Sequence, residues 1–262
     1  MKIPERFMLA VSSGRSGTKH LSRILGLLPG VASLHEPEPN FVAEMRDAQD
    51  DPCIATEFLF QKKIPALAAI TQKYYAEISS LWCKGLLQAW LSEPTLPVPD
   101  LILLDRDLRR IALSIFRLEL TPERTHNGRE WYLGPSAKTA LLKVGDFEKW
   151  TDYQLCYWYA LEVEARKLVL GNLAAVKGGR VVRVDIEKLR SFRRLYRLVD
   201  ALDLPRPGPR ELYSFLWLLG KKSNSQGSER WACPHEQSQL ADWEAEVIQA
   251  IIANGNRLPQ AG

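Results

Sequence analysis

The chain has 262 residues, of which 46% are hydrophobic and 25% are charged, as in a soluble globular protein with one sizeable core. The net charge of +4 is small, which argues against a nucleic-acid or membrane-surface role. No stretch reaches the ~20 apolar residues of a membrane helix, and the first apolar run is too short for a signal peptide. The four cysteines form no CxxC pair, so we expect reduced thiols in a cytoplasmic protein.

Apolar runs alternate with helical patterns along the chain. The predicted strands are Phe7–Val11, Val31–Leu34, Leu81–Lys84, Leu101–Leu104 and Val181–Val184. The predicted helices are Thr18–Leu28, Ala66–Ser79 within a helical region over residues 41–80, Asp107–Leu120, Thr151–Leu170, Arg193–Leu204, Glu211–Leu219 and Gln237–Ala253. Residues 121–150 show no firm period and are predicted to form a long functional loop or lid. The alternation predicts an α/β fold, a central parallel sheet flanked by helices, in a single domain over residues 1–262.

Polar segments follow four of the predicted strands, and the carboxyl ends of parallel strands are where such folds bind ligands. The segments read SSGRSGTK, HEPEPN, KGLL and DRDLRR. In the first, Gly14 and Gly17 permit the backbone of an anion-binding nest between strand and helix. Arg15 and Lys19 add positive charge, while Ser16 and Thr18 add hydroxyls, so this segment is predicted to bind phosphate.

The same loop differs from the magnesium-dependent nucleotide loop GxxxxGK[ST]. Its spacing is shorter, and His20 follows Lys19 where that motif has serine or threonine. Asp105, after a buried strand, is nevertheless placed like the metal-binding carboxylate of such proteins. Two alternatives therefore stay open: an ATP- and magnesium-dependent phosphotransferase, and a module that binds a nucleotide without catalysis.

Three segments resemble the sulfotransferases that use 3′-phosphoadenosine 5′-phosphosulfate (PAPS). GRSGTK at residues 14–19 is similar to their loop [PG]-[KR]-S-G-T-T. Arg106-Asp107 with Ser114 eight positions after the arginine is similar to their second signature, and VVRVDIEKL with LVDALDLP is similar to a third. The resemblance covers about the first 205 residues. It implies a three-layer P-loop-type fold and transfer of a sulfuryl group from PAPS to a hydroxyl.

The resemblance also implies roles for individual residues. Residues 14–19 would bind the 5′-phosphosulfate, with Arg15 bridging the leaving phosphate and the sulfuryl oxygens, and Arg106 and Ser114 would bind the 3′-phosphate. His20 takes the place of an aromatic residue that stacks on adenine. Lys221 and Lys222 would cover the donor from a C-terminal segment over residues 221–262. The product would be adenosine 3′,5′-bisphosphate, and no metal is expected.

The base that accepts the acceptor's proton is predicted from where the sequence departs from the family. Many cytosolic members have a histidine in a KTHLP element, but here Trp82–Leu86 offers Lys84 and a leucine in that histidine's place. Carbohydrate- and lipid-directed branches have Glu-Pro after the second strand, and His35-Glu36-Pro37 fits that position. We therefore predict Glu36 as the general base, His35 as the second candidate and Lys84 as a further catalytic residue.

The acceptor is predicted less directly. The Glu-Pro element favours a carbohydrate or glycolipid. Residues 121–150 are expected to shape the acceptor pocket, together with the aromatic helix around Tyr153–Tyr159. Aromatic residues at helical spacing also fill cores, so that second role stays open for the helix, and the sequence equally leaves a homodimer open.

Overall fold

A five-stranded sheet organises the chain. The structure is a computed structural model, and it describes residues 3–220 and 237–258. The strands are β1 (Arg6–Val11), β2 (Val31–Leu34), β3 (Tyr74–Glu77), β4 (Asp100–Asp105) and β5 (Val181–Asp185). All pairings are parallel, in the order β2-β3-β1-β4-β5. The predicted central parallel sheet is confirmed, with β1 as its middle strand.

Helices connect and cover these strands. They are α1 (Thr18–Leu25), α2 (Val42–Ala48), α3 (Cys53–Phe58), α4 (Ile64–Leu67), α5 (Leu86–Ser92), α6 (Leu108–Arg117), α7 (His126–Trp131), α8 (Asp152–Val176), α9 (Phe192–Ala201), α10 (Pro209–Gly220) and α11 (Gln237–Ala253). A π-helical turn, Leu59–Lys63, joins α3 to α4, and 3₁₀ turns occur at Trp82–Lys84 and Phe147–Lys149. Within residues 3–220 and 237–258 we find no helix with the length and hydrophobicity needed to span a bilayer.

Hydrophobic side chains on both faces of the sheet give a three-layer fold. Successive side chains of a strand point to opposite faces, and in β1 both sets are fully buried. Phe7 and Leu9 join a core with α5, α6 and α8, whereas Met8 and Ala10 join one with α1, α9 and α10. A strand buried on both faces reads as a continuous apolar run, which is why the sequence revealed β1.

Two predicted elements near β3 are wrong. The predicted helix Ala66–Ser79 ends early, and its second half forms β3, where Tyr75 packs into one core and Ala76 into the other. The apolar residues happen to repeat at helical spacing, but pairing with two neighbouring strands overrides that pattern. The predicted strand Leu81–Lys84 is instead the 3₁₀ turn that follows β3.

The segment over residues 121–150 is anchored to helix α8. The Glu162 carboxylate accepts hydrogen bonds from the backbone N–H groups of Leu141 (3.0 Å) and Leu142 (2.8 Å). The Arg166 guanidinium donates to the Thr139 carbonyl at 2.7 Å. The aromatic residues of α8 itself are buried: Tyr153, Trp158 and Tyr159 are fully enclosed. They therefore fill the core, as the alternative interpretation of the sequence allowed.

Candidate functional site

The loop after β1 adopts the left-handed backbone that the two glycines permit. Gly14, Arg15 and Gly17 have φ values of 70°, 52° and 87°. The Ser12 hydroxyl accepts from the Gly14 N–H at 2.9 Å and pairs with the Ser16 hydroxyl at 2.8 Å, so buried serines hold the turn from within. A side chain at position 17 would place its Cβ 2.6 Å from Ile186. Glycine is thus required there by conformation and by space.

This loop leaves a row of backbone donors unused. In the part of the chain that the structure describes, the N–H groups of residues 15–19 donate no hydrogen bond to another residue. They open helix α1, whose dipole adds positive potential at this end. Successive free N–H groups at a helix N-terminus form a site for a phosphate or sulfate group.

The two residues predicted for the 3′-phosphate lie against this loop. Ser114 on α6 accepts a hydrogen bond from Arg15 Nε at 3.1 Å, and Arg106 donates to the Arg15 carbonyl. Arg106 Nε is buried without a hydrogen bond, 3.7 Å from the nearest Glu187 oxygen. The fold therefore brings together three residues that are up to 99 positions apart, and it leaves one guanidinium N–H in need of an acceptor.

His20 and Lys19 lie at the rim of the same cavity. Lys19 is exposed and His20 is half-buried. Burial lowers the pKa of His20, and the nearby charges of Arg23 and Arg190 lower it further. Lys221 and Lys222 lie outside the described residues.

Glu36 and His35 lie on the loop after β2, beside the phosphate loop. Glu36 has φ = 47°, a conformation unusual for a residue other than glycine. Its Oε1 accepts from the Ser80 hydroxyl at 3.3 Å, and its Oε2 is 3.9 Å from His35 Nδ1. The other imidazole nitrogen of His35, Nε2, contacts the Thr18 hydroxyl at 2.9 Å. The predicted base and its alternative are therefore adjacent.

The pKa of His35 reflects this crowded position. Burial lowers it, the Glu36 carboxylate opposes that shift, and the Lys19 charge adds to it. The imidazole is thus favoured in its neutral form, in which one nitrogen can accept a proton.

A buried ion pair fixes the far end of the same loop. Lys63 donates to the Pro39 carbonyl at 3.2 Å and lies 2.8 Å from a Glu77 oxygen. The Tyr75 hydroxyl donates to the other Glu77 oxygen at 2.6 Å. Burial raises the pKa of Glu77, against the opposing effect of Lys63. The loop that carries Glu36 is therefore held at both of its ends.

Lys84 lines the same cavity from the turn after β3. Only 2% of its surface is exposed. Its Nζ donates to the Trp131 carbonyl and lies over the rings of Tyr132 (5.1 Å) and Tyr159 (5.7 Å). Burial lowers its pKa to about 8. The sequence analysis predicted that Lys84 lies at the end of a strand. That strand does not form, but Lys84 still lines the cavity.

Asp105, the residue placed like a metal-binding carboxylate, is held by cations of the protein. Arg183 donates to both of its oxygens at 2.9 Å, and Lys167 lies 3.4 Å away. Asp105 is also not among the residues that line the cavity. Across residues 3–220 and 237–258, no group of three or more His, Cys, Asp or Glu side chains is arranged to hold a metal ion.

The phosphate loop, His20, His35, Glu36, Lys84 and Arg106 line one cavity of about 790 Å³, whereas Ser114 is not among its lining residues. This size is typical of small-molecule sites. The sequence missed several of its lining residues, namely Ser80, Leu120, Asn127, Trp131, Tyr132, Ile186, Glu187 and Arg190. Trp131 and Tyr132 do fall in the segment predicted to shape the acceptor side. Ile186 and Glu187 follow β5, within the third segment of the resemblance, so their position at a strand end was the available signal.

Comparisons with known proteins show a likeness in structure and none in sequence. No family model matches this chain, and no curated protein does either. A sulfotransferase domain from the curacin biosynthetic pathway aligns with a TM-score of 0.53 at 14% identity, covering 99% of this chain and 100% of that domain. A sulfotransferase domain from the olefin synthase of Synechococcus PCC 7002 aligns with a TM-score of 0.48 at 17% identity, covering 99% and 98%. The curacin-pathway match, over the full length of both chains, shows that this protein has the fold of a sulfotransferase domain.

Proposed function

We propose that this protein is a sulfotransferase that moves a sulfuryl group from PAPS to the hydroxyl of a small-molecule acceptor. The observation that carries the proposal is that Arg106 and the phosphate loop line one cavity, with Ser114 hydrogen-bonded to Arg15 of that loop. PAPS is anionic at both ends, and the cavity offers donors in two places: the free N–H groups of residues 15–19 and the buried Nε of Arg106. Asp105 gives little support to the ATP and magnesium alternative, because Arg183 and Lys167 occupy its carboxylate.

Separate groups at the cavity would bind the two ends of PAPS and stabilise the leaving group. The N–H groups of residues 15–19 bind the 5′-phosphosulfate, and Arg106 and Ser114 hold the 3′-phosphate. Arg15 lies between the two places and stabilises the charge that develops on the leaving 5′-phosphate oxygen. Fixed donors of this kind supply most of the catalysis in transfers of phosphoryl-like groups.

Glu36 is the general base in this proposal. PAPS supplies the sulfuryl group, whose bond to the 5′-phosphate oxygen breaks as a bond to the acceptor oxygen forms. Glu36 accepts the proton that the acceptor hydroxyl loses, and a hydrogen bond from the Ser80 hydroxyl helps to orient its carboxylate. Adenosine 3′,5′-bisphosphate is released.

The acceptor is proposed to be a carbohydrate or glycolipid. The residues that line the cavity also include Trp131, Tyr132 and Asn127. Aromatic faces and amide groups suit a ring that carries hydroxyls.

Ligand-induced stabilisation tests the donor assignment. We expect adenosine 3′,5′-bisphosphate at 100 times its Kd to raise the melting temperature by roughly 5–10 °C, from about 2.7 kcal/mol of linkage. ATP with or without Mg²⁺ should give a smaller shift. Stabilisation by ATP that depends on Mg²⁺, with none from the bisphosphate, would show that the proposal is wrong and favour the phosphotransferase.

Substitution of the base tests catalysis separately from binding. Glu36→Gln should lower kcat by about 10²–10⁴ and leave the affinity for the bisphosphate unchanged. Glu38→Gln is the matched control, because this exposed carboxyl lies on the same loop outside the cavity. If His35→Asn causes the larger loss, His35 is the base. If no screened acceptor is ever sulfated although the bisphosphate binds, the protein is a binding module.

A further inference from the structure

Four cationic side chains are buried in the described part of the chain: Lys63, Lys84, Arg166 and Lys167. Three of them have a close carboxylate partner. Lys63 is 2.8 Å from Glu77, Arg166 is 2.6 Å from Glu162, and Lys167 is 2.8 Å from Glu164. No carboxylate oxygen of residues 3–220 or 237–258 lies within 4 Å of Lys84 Nζ.

Lys84 is therefore a buried charge that the described chain does not neutralise. Its ammonium has three N–H donors, and one of them reaches the Trp131 carbonyl. The rings of Tyr132 and Tyr159 offer only the weaker attraction of their π-faces. Burying an unpaired charge is costly, and the low pKa of the group expresses that cost. Because Lys84 lines the cavity, a bound molecule can supply the missing anion.

The surroundings of Lys84 indicate which of the two substrates supplies this anion. The donor-binding groups that we propose lie on the loop after β1 and on the segment after β4. Lys84 donates to the carbonyl of Trp131, in the segment that also contributes Asn127 and Leu120 to the lining. The hydroxyl of Tyr159, whose ring lies beside Lys84, donates to the Ser13 carbonyl, just before the phosphate loop. Lys84 also interacts electrostatically with Glu36, the proposed base, whose charge raises the pKa of Lys84. An anion held by Lys84 thus fits a molecule that also presents a hydroxyl to Glu36.

We propose that Lys84 binds a carboxylate of the acceptor, so that the substrates are hydroxyl compounds carrying an acid group, such as sugars with a uronic acid. This inference rests on the proposed sulfotransferase activity. A single ammonium with two remaining N–H groups matches one negative charge shared by two oxygens. A phosphate dianion would call for a second cation, and the nearby Arg166 is already paired with Glu162.

Sulfation of matched acidic and neutral acceptors, measured with labelled PAPS, tests the inference. The probes are phenyl β-D-glucuronide and phenyl β-D-galacturonide, each compared with its primary carboxamide. We expect kcat/KM for the acids to exceed that for the amides by about tenfold, which corresponds to roughly 1.4 kcal/mol. Lys84→Met should bring the ratio close to one, and Lys84→Arg should retain part of it.

Lys167→Met is the control, because it removes another buried lysine that lies outside the cavity. Glu164 keeps Arg183 as a partner at 2.7 Å in that variant, which favours folding. The control should leave the acid-to-amide ratio unchanged. Affinity for adenosine 3′,5′-bisphosphate should be the same in the parent and in Lys84→Met.

A second measurement needs no variant. The acid-to-amide ratio of the parent protein should fall as pH rises above about 8, where Lys84 loses its charge. The other groups that face Lys84 are Glu36, Arg166, Cys83, Tyr132 and Tyr159. Burial raises the pKa of the last three, so they stay neutral while Lys84 titrates.

Several outcomes would overturn the inference. If Lys84→Met slows acids and amides by the same factor, Lys84 acts on the donor. A parent protein that does not prefer acids, or that sulfates none of them, also contradicts it. Failure of the proposed function looks different: no stabilisation by the bisphosphate and no transfer to any acceptor, charged or neutral.

Discussion

The unpaired charge of Lys84 should be measurable as a pH-dependent loss of stability. Burial lowers the pKa of this lysine from 10.5 to about 8, so the folded state gives up its proton more readily than the unfolded state. Below pH 8 both states are protonated and the full penalty applies. Between pH 8 and 10.5 the unfolded state binds more protons, so stability rises with pH.

The size of the effect follows from the two pKa values. Each pH unit between them is worth about 1.4 kcal/mol, so the parent protein should gain roughly 3 kcal/mol relative to Lys84→Met between pH 7 and pH 10.5. Lys84→Met also leaves the Trp131 carbonyl without its donor, which costs about 1–3 kcal/mol. That cost does not change with pH, so the slope isolates the charge.

Urea denaturation at a series of pH values measures this difference, with reductant present to protect the thiols. Lys84→Arg is the matched control, because a guanidinium stays charged over the whole range and should show no such gain over Lys84→Met. A difference between the parent and Lys84→Met that stays constant from pH 7 to 10.5 would refute the reasoning. It would mean that water or a counter-ion reaches the ammonium in the folded protein.

Three further substitutions test other parts of the structure. Gly17→Ala should lower affinity for adenosine 3′,5′-bisphosphate at least about tenfold in calorimetry, since φ is 87° and the new Cβ would lie 2.6 Å from Ile186; unchanged affinity would mean that the loop does not bind the donor. Lys63→Met should cost about 3–5 kcal/mol in urea denaturation, because Glu77 then stays buried without its cation; a loss below about 1 kcal/mol would show that Glu77 is solvated or becomes protonated. Arg106→Ala should weaken the bisphosphate by about 10–100-fold and adenosine 5′-phosphosulfate much less; equal losses would contradict a 3′-phosphate site at this residue.

Local patterns were sufficient to predict the elements that are buried on both faces or that carry strong end signals. Phe7–Val11 of β1 and Leu101–Leu104 of β4 are apolar throughout, and α8 begins with the capping box formed by Thr151 and Gln154. β3 was missed because only four residues form it and their apolar positions also fit a helix. Its pairing with β1 and β2 is a long-range interaction that no local pattern records.

The residues of the site likewise fall into those that a local pattern predicts and those that only tertiary packing brings to the cavity. The phosphate loop is contiguous in sequence, so its glycines, hydroxyls and cations could be recognised together. Ser80 and Trp131 gained their places through tertiary packing. Residue type also gave no sign that Lys84 is buried, since most lysines are exposed. Only the folded chain shows that its ammonium has a carbonyl and two rings for neighbours.

Several donors that the described chain leaves open line the cavity, although Trp82 Nε1 and Arg117 Nε, which do not line it, are also buried without a hydrogen bond. The N–H groups of residues 15–19, the Nε of Arg106 and the ammonium of Lys84 come from three separate strand ends. Away from the cavity, the fold pairs the buried charges of Lys63 and Lys167 with carboxylates, so it is able to satisfy such groups. Hydrogen-bond donors left open at three strand ends around one cavity call for anionic groups at more than one point. PAPS, which is anionic at both ends, and an acidic acceptor would together provide them.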